Sequence, residues 1–198
     1  MAYRIVLSGL FILSGFACGG TTPPNLEKYY LDLVNQLRST PSYHMVVEYD
    51  AQSSATSEAT AGQFEVDFIQ PDRSRVIRKL RGREISRDVS IGDRLYHSDD
   101  HGSSWSEVEM PPGRLPHQGI LARLLESPCE VRGDAAHLVV ILRSRTRQCD
   151  PGLELAVNVS KDKVSSVVLS STIESVPISI KAVFDYARPV SEIVAPIT

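Results

Sequence analysis

From Phe64 to Val108 apolar and polar residues alternate in short runs separated by turn signals, a pattern that predicts a continuous antiparallel meander. Phe64, Val66 and Phe68 share one side of the first run, and Glu65 and Asp67 share the other. A period of two puts those sets on opposite sheet faces, so one face needs a core or an apolar ligand. Pro71 presets the first turn, and Gly92 with Asp93 supplies a later one. In the run between them Ile85, Val89 and Ile91 repeat the apolar side, with Arg87 interrupting it.

A different period precedes the meander. Leu26, Tyr29, Tyr30, Leu33, Val34 and Leu37 recur at helical spacing, opposite Glu27, Lys28, Asp32, Gln36 and Arg38. This predicts an amphipathic helix with Asn25 at its N-cap and Ser39-Thr40-Pro41 as its stop. Met45 to Tyr49 then predicts a strand, while the Ser, Ala and Thr-rich run from Gln52 to Gly62 fits either an exposed loop or the ends of a long hairpin. Ile120, Leu121, Leu124 and Leu125 predict a second, short helix ending at Ser127-Pro128. Leu138 to Leu142 is apolar on both faces. The alternating segments Leu153 to Ser160, Val164 to Ser171 and Ile178 to Tyr186 form a second meander. Nine or ten strands with two helices make an α+β fold, an antiparallel sheet with helices packed on one face.

Composition narrows the function. The 198 residues are 42% hydrophobic and 23% charged, with a formal charge of -3, the balance of one ordinary soluble domain. Lys and Arg are interspersed with acids, which argues against a nucleic-acid footprint.

The N-terminus belongs to another category. Arg4 precedes an uncharged stretch from Ile5 to Ala17, too short to span a bilayer and laid out as an export signal. Gly15-Phe16-Ala17-Cys18 resembles a bacterial lipobox, with Gly15 where Leu is usual; the resemblance implies cleavage before Cys18 and lipidation of its sulfur. Residues 1–17 are then a lipoprotein signal peptide, 18–24 a lipidated tether, and 25–198 the folded domain. Setting Cys18 aside leaves Cys129 and Cys149, which an oxidising compartment would pair.

Taken in order, the lipobox-like Cys18, the first helix, PDRSR after a strand, IGDRLYHSDDHGSSW, the following helix and the closing FDYARPVSEIVAP resemble the LolA/LolB and LppX/LprG-type lipoprotein-carrier superfamily of bacterial envelopes. The resemblance spans nearly all of the mature chain. It implies a strongly curved antiparallel sheet, an unclosed half β-barrel, whose concave face is covered by helices. It also implies an apolar cavity that takes the acyl chains of a lipid, glycolipid or lipoprotein. The residues expected to wall such a cavity are Leu33, Val34 and Leu37 of the first helix, Phe64, Val66 and Phe68, Val89 and Ile91, and Ile120 and Leu124.

Chemistry is sparse. The histidines are scattered, and neither a phosphate loop nor a G-x-S-x-G elbow occurs, so neither an enzyme, a metal nor a cofactor is expected. His97-Ser98-Asp99-Asp100-His101 is dense in metal-ligand types but lies in a turn. Arg73, Arg75, Arg78, Lys79, Arg81, Arg83 and Arg87 are balanced by Glu84 and Asp88 and read as a solvated sheet surface. Two functions remain. One is an exported, membrane-anchored envelope protein that shields acyl chains for transfer or storage. The other is an envelope sensor or interaction lipoprotein on the same scaffold, with a protein partner and no lipid cargo.

Overall fold

The computed structural model describes residues 25–51, 60–109, 121–143, 148–173 and 176–196. Cys18, the predicted signal and tether, and Ile120 lie outside them. Helix α1 (Leu26–Ser39) is followed by the strands β1 (Ser42–Ala51), β2 (Thr60–Ile69), β3 (Arg73–Leu80), β4 (Arg83–Ile91), β5 (Arg94–Ser98) and β6 (Ser106–Glu109). After helical residues 121–124 come β7 (Glu130–Gly133), β8 (His137–Arg143), β9 (Cys149–Ser160), β10 (Lys163–Ile173) and β11 (Val176–Asp185). β1 and β2 stay paired out to Ala51 and Thr60, so Thr60 to Gly62 belong to a hairpin strand, while the rest of the Ser-rich run, residues 52–59, lies outside the described residues. β7, paired antiparallel with β8, has no counterpart among the predicted strands.

All eleven strands form one open antiparallel sheet in the order β6-β5-β4-β3-β2-β1-β11-β10-β9-β8-β7. The first and last strands pair in its middle, and the strands adjacent in sequence, β6 and β7, are its two edges. Each edge is four residues long and carries charges, SEVE and EVRG, which discourages pairing with other chains. A Cys129–Cys149 disulfide, with 5.7 Å between Cα atoms, ties the residue before the β7 edge to the start of β9.

Register decides which residues meet. Leu138, Val157, Val167, Ala182, Val47 and Phe64 are successive cross-strand partners across six strands and form a buried row. Directly opposed side chains share a face, so this row marks the concave face. Tyr30, Leu33, Val34 and Leu37 of α1 pack on it, joined by Leu124, in one large core. Asn25 caps α1 by accepting from the Lys28 amide at 3.0 Å. Tyr49 lies across β2 because Gly62 faces it: a Cβ there would sit 2.1 Å from the Tyr49 hydroxyl.

The convex face has its own cover. Past Tyr186 the C-terminal tail turns onto this face, where Ile193 is buried with Val89 and Tyr96 and flanked by Ile69, Ile91 and Trp105. Arg73 donates to the Ile193 carbonyl at 3.3 Å. Earlier on the tail's path the buried His44 links Asp67, 2.8 Å from its Nδ1, to Arg188, 2.9 Å from its Nε2.

Candidate functional site

An apolar cavity opens where α1 ends, between the helices and the first strand pair. Its volume is about 420 Å³, and Leu37, Tyr43, Phe68, Pro71, Leu121 and Leu125 supply most of its wall, with Ala122, Arg38 and Gln70 completing it. That size is in the range of small-molecule sites. Each wall is fixed by local structure. Tyr43 and Phe68 are cross-strand partners with stacked rings, 5.1 Å between centroids. Pro71 stands in the β2–β3 turn, its peptide bond to Gln70 cis. The Gln70 side chain donates to the Arg38 carbonyl and its amide to the Pro41 carbonyl, joining this turn to the end of α1. Leu121 and Leu125 are held by the Tyr30 hydroxyl, which donates to the Leu124 carbonyl at 2.5 Å, and by Arg38, which donates to the Leu125 carbonyl at 3.4 Å.

Burial pushes the Tyr43 phenol well above its ordinary pKa, with the nearby Tyr186 adding to the shift, so it keeps its proton. Tyr30 is shifted the same way by burial and then by Glu126. Arg38 is the one charged residue in the wall among the described residues. A larger cleft, about 460 Å³, lies at the opposite strand ends and is of another kind. Lys181, Glu48, Gln63 and Lys79 line it as one cross-strand row on the convex face. With both charge signs in that row, it is a poor home for a hydrocarbon chain.

The expected wall residues separate into four groups. Leu37 and Phe68 line the cavity. Leu33, Val34, Phe64, Val66 and Leu124 are buried in the surrounding core. Val89 and Ile91 lie on the convex face with the tail, because Ser86, Asp88 and Ser90 take the concave positions of β4 opposite Arg78, Val76 and Ser74. Ile120 is outside the described residues. Tyr43, Pro71, Leu121 and Leu125 were missed as wall residues. The two leucines are on the face the short-helix pattern marks as apolar, and Pro71 is in the turn that PDR signals.

The dense His97 run is a hydrogen-bonded turn. Asp88 meets His97 Nδ1 at 2.6 Å, Asp99 meets Nε2 at 2.9 Å, and Asp100 accepts from the Ser98 hydroxyl and the Ser104 amide. His101 faces a different carboxylate, Glu84 at 3.5 Å.

No protein-family model matches the sequence, and a search of curated proteins finds no match. Among solved structures the fold is that of LolA- and LppX-like proteins. It is similar to a LolA superfamily protein from Nitrosomonas europaea, with a TM-score of 0.51 at 8% identity over 81% of this chain and 91% of that one. It is equally similar to the lipoprotein LppX of Mycobacterium tuberculosis, with a TM-score of 0.51 at 14% identity over 85% of this chain and 99% of that one. At such identities the likeness establishes the unclosed, helix-covered half-barrel and leaves the ligand to be argued from the cavity.

Proposed function

We propose that this protein is an exported envelope lipoprotein, tethered to a membrane through Cys18, that shelters an acyl chain of a lipid, glycolipid or lipoprotein for transfer or storage. The observation that carries the reading is the apolar cavity of about 420 Å³ left between α1, the helical segment and the β1–β2 pair. An open cleft with a mainly apolar wall and this volume is the form small-molecule and acyl-chain sites take. Each methylene moved from water into it contributes about 0.8 kcal/mol, and no catalytic step is needed.

The test is native mass spectrometry of the domain beginning at Cys18, purified from bacterial envelopes, before and after organic extraction. An acylated molecule bound one to one, and lost from Ala122→Trp, supports the carrier. A domain that stays at its sequence mass after incubation with envelope lipids would turn the reading toward an interaction lipoprotein without cargo.

A further inference from the structure

Two residues of the cavity wall, Tyr43 and Arg38, carry donors without an acid partner among the described residues. Tyr43 is only 4% exposed and lines the cavity, yet its hydroxyl makes no hydrogen bond among the described residues. A buried polar group left unpaired is uncommon and costs free energy, so its position asks for an acceptor. Arg38 makes one long bond to the Leu125 carbonyl and meets no carboxylate among the described residues.

The surroundings leave the Arg38 charge uncompensated. A helix C-terminus ordinarily presents about half a negative charge on its free carbonyls. Here three of the last four carbonyls are occupied: Gln36 accepts from Ser39 and Thr40, Leu37 from the Thr40 amide, and Arg38 from Gln70. A nearby acid is engaged elsewhere. Glu126, next to the Leu125 carbonyl that Arg38 reaches, pairs with Arg123 at 3.0 Å.

We infer that the cavity is selective for an anionic amphiphile, with the chain against Phe68, Leu121 and Leu125 and a carboxylate or phosphate head accepting from Arg38 and Tyr43. This rests on the carrier reading above and specifies its ligand class. The guanidinium fork suits either oxyanion, because two parallel N–H groups match two oxygens of one head.

The test compares amphiphiles of one chain length on the delipidated domain: myristate, monomyristyl phosphate, myristyl alcohol and myristyltrimethylammonium, with inorganic phosphate alone as a further arm. Affinities are read by displacement of a fluorescent hydrocarbon probe. Both anions are expected to bind about tenfold or more tighter than the alcohol, the size of one charge-assisted hydrogen bond. Free phosphate is expected not to displace the probe. Arg38→Gln should bring the anion-to-alcohol ratio close to one, Tyr43→Phe should lower it severalfold, and Arg38→Lys should keep most of it. Lys181→Gln, an equal loss of charge far from the mouth, should leave the ratio as it is. Equal affinity for all four amphiphiles, or a ratio that survives both Arg38→Gln and Tyr43→Phe, overturns the inference and leaves the carrier standing. Binding by none of them removes both.

Discussion

The two faces of this sheet are covered by different means, and only the helical cover leaves an apolar cavity beneath it. On the concave face a row of apolar side chains runs across six strands and meets the apolar stripe of α1, giving a large continuous core. On the convex face one cross-strand row reads Asp185, His44, Asp67, Arg75, Val89 and Tyr96. Charges occupy most of that row, and a short tail covers only its apolar end. A helix is a stiff cylinder laid in a curved trough, so it leaves space at its end. An extended tail follows the surface it crosses and leaves little. The cavity therefore belongs to the helical cover.

The comparison breaks first where packing is densest. Leu155→Ala in the concave core, where the side chain is 0% exposed, should cost about 4 kcal/mol, since neighbours tied into strands on both sides cannot collapse into the space. Urea unfolding of the delipidated domain measures it. A loss below about 1 kcal/mol would mean that the concave core is as loosely filled as the cavity beside it.

On the convex face the largest effect should come from charge. Burial alone would push the Asp67 carboxyl up, but hydrogen bonds from Arg75 and His44 outweigh it and hold the group below the usual carboxylate range. With its folded pKa depressed, Asp67 contributes stability above the unfolded value that is lost as pH falls through the folded one. Asp67→Asn should remove about 3 kcal/mol at pH 7, and the variant's urea midpoint should depend less on pH in the acid range than the parent's. Equal acid sensitivity in both proteins would argue that the carboxylate is not held by its neighbours. Next comes Ile193→Ala, with a loss of about 2 kcal/mol, at the low end for its type because the convex cluster is small. Raised hydrogen exchange at residues 188–196, with the concave strands unchanged, would show that the tail opens separately.

Much of this architecture is legible in the residues. The helical stripe ending at Leu37, the alternation of Phe64, Val66 and Phe68, and the pairing of two cysteines all follow from local spacing or compartment chemistry, and all three features are present in the structure. The site is less legible because a cavity is a failure of long-range packing. Leu37 and Leu33 belong to the same stripe, yet only Leu37 meets empty space, and that depends on where Pro71 and the segment after residue 120 come to rest. Val89 and Ile91 show the second limit. Alternation says that two residues share a face but not which face, and here a tail more than a hundred residues away supplies the apolar partner. Ile85, the extra residue opposite the Arg78/Lys79 step, marks a bulge that spacing alone could not place.

The smallest expected effect separates the two clamped histidines. His97 is held by Asp88 and then Asp99, one carboxylate on each ring nitrogen, and these outweigh burial to raise its pKa above the ordinary imidazole value of 6.5. Its contribution to stability is fully present below that value and is lost as pH rises through the folded pKa. His44 is oriented differently: Arg188 can only donate, so the Nε2 it faces must accept, and the Nδ1 proton goes to Asp67. A donor on that Nε2 would face the Arg188 donor. Titrating the His97 ring by NMR should show it gaining its proton at higher pH than a free imidazole. The Arg188 side-chain signals should stay in place while His97 titrates, since Arg188 contacts His44 and not His97. If Arg188 instead follows His97, the tail and the β5–β6 turn are coupled through the Val89, Tyr96 and Trp105 cluster between them, and the convex cover is one unit rather than a latch and a patch.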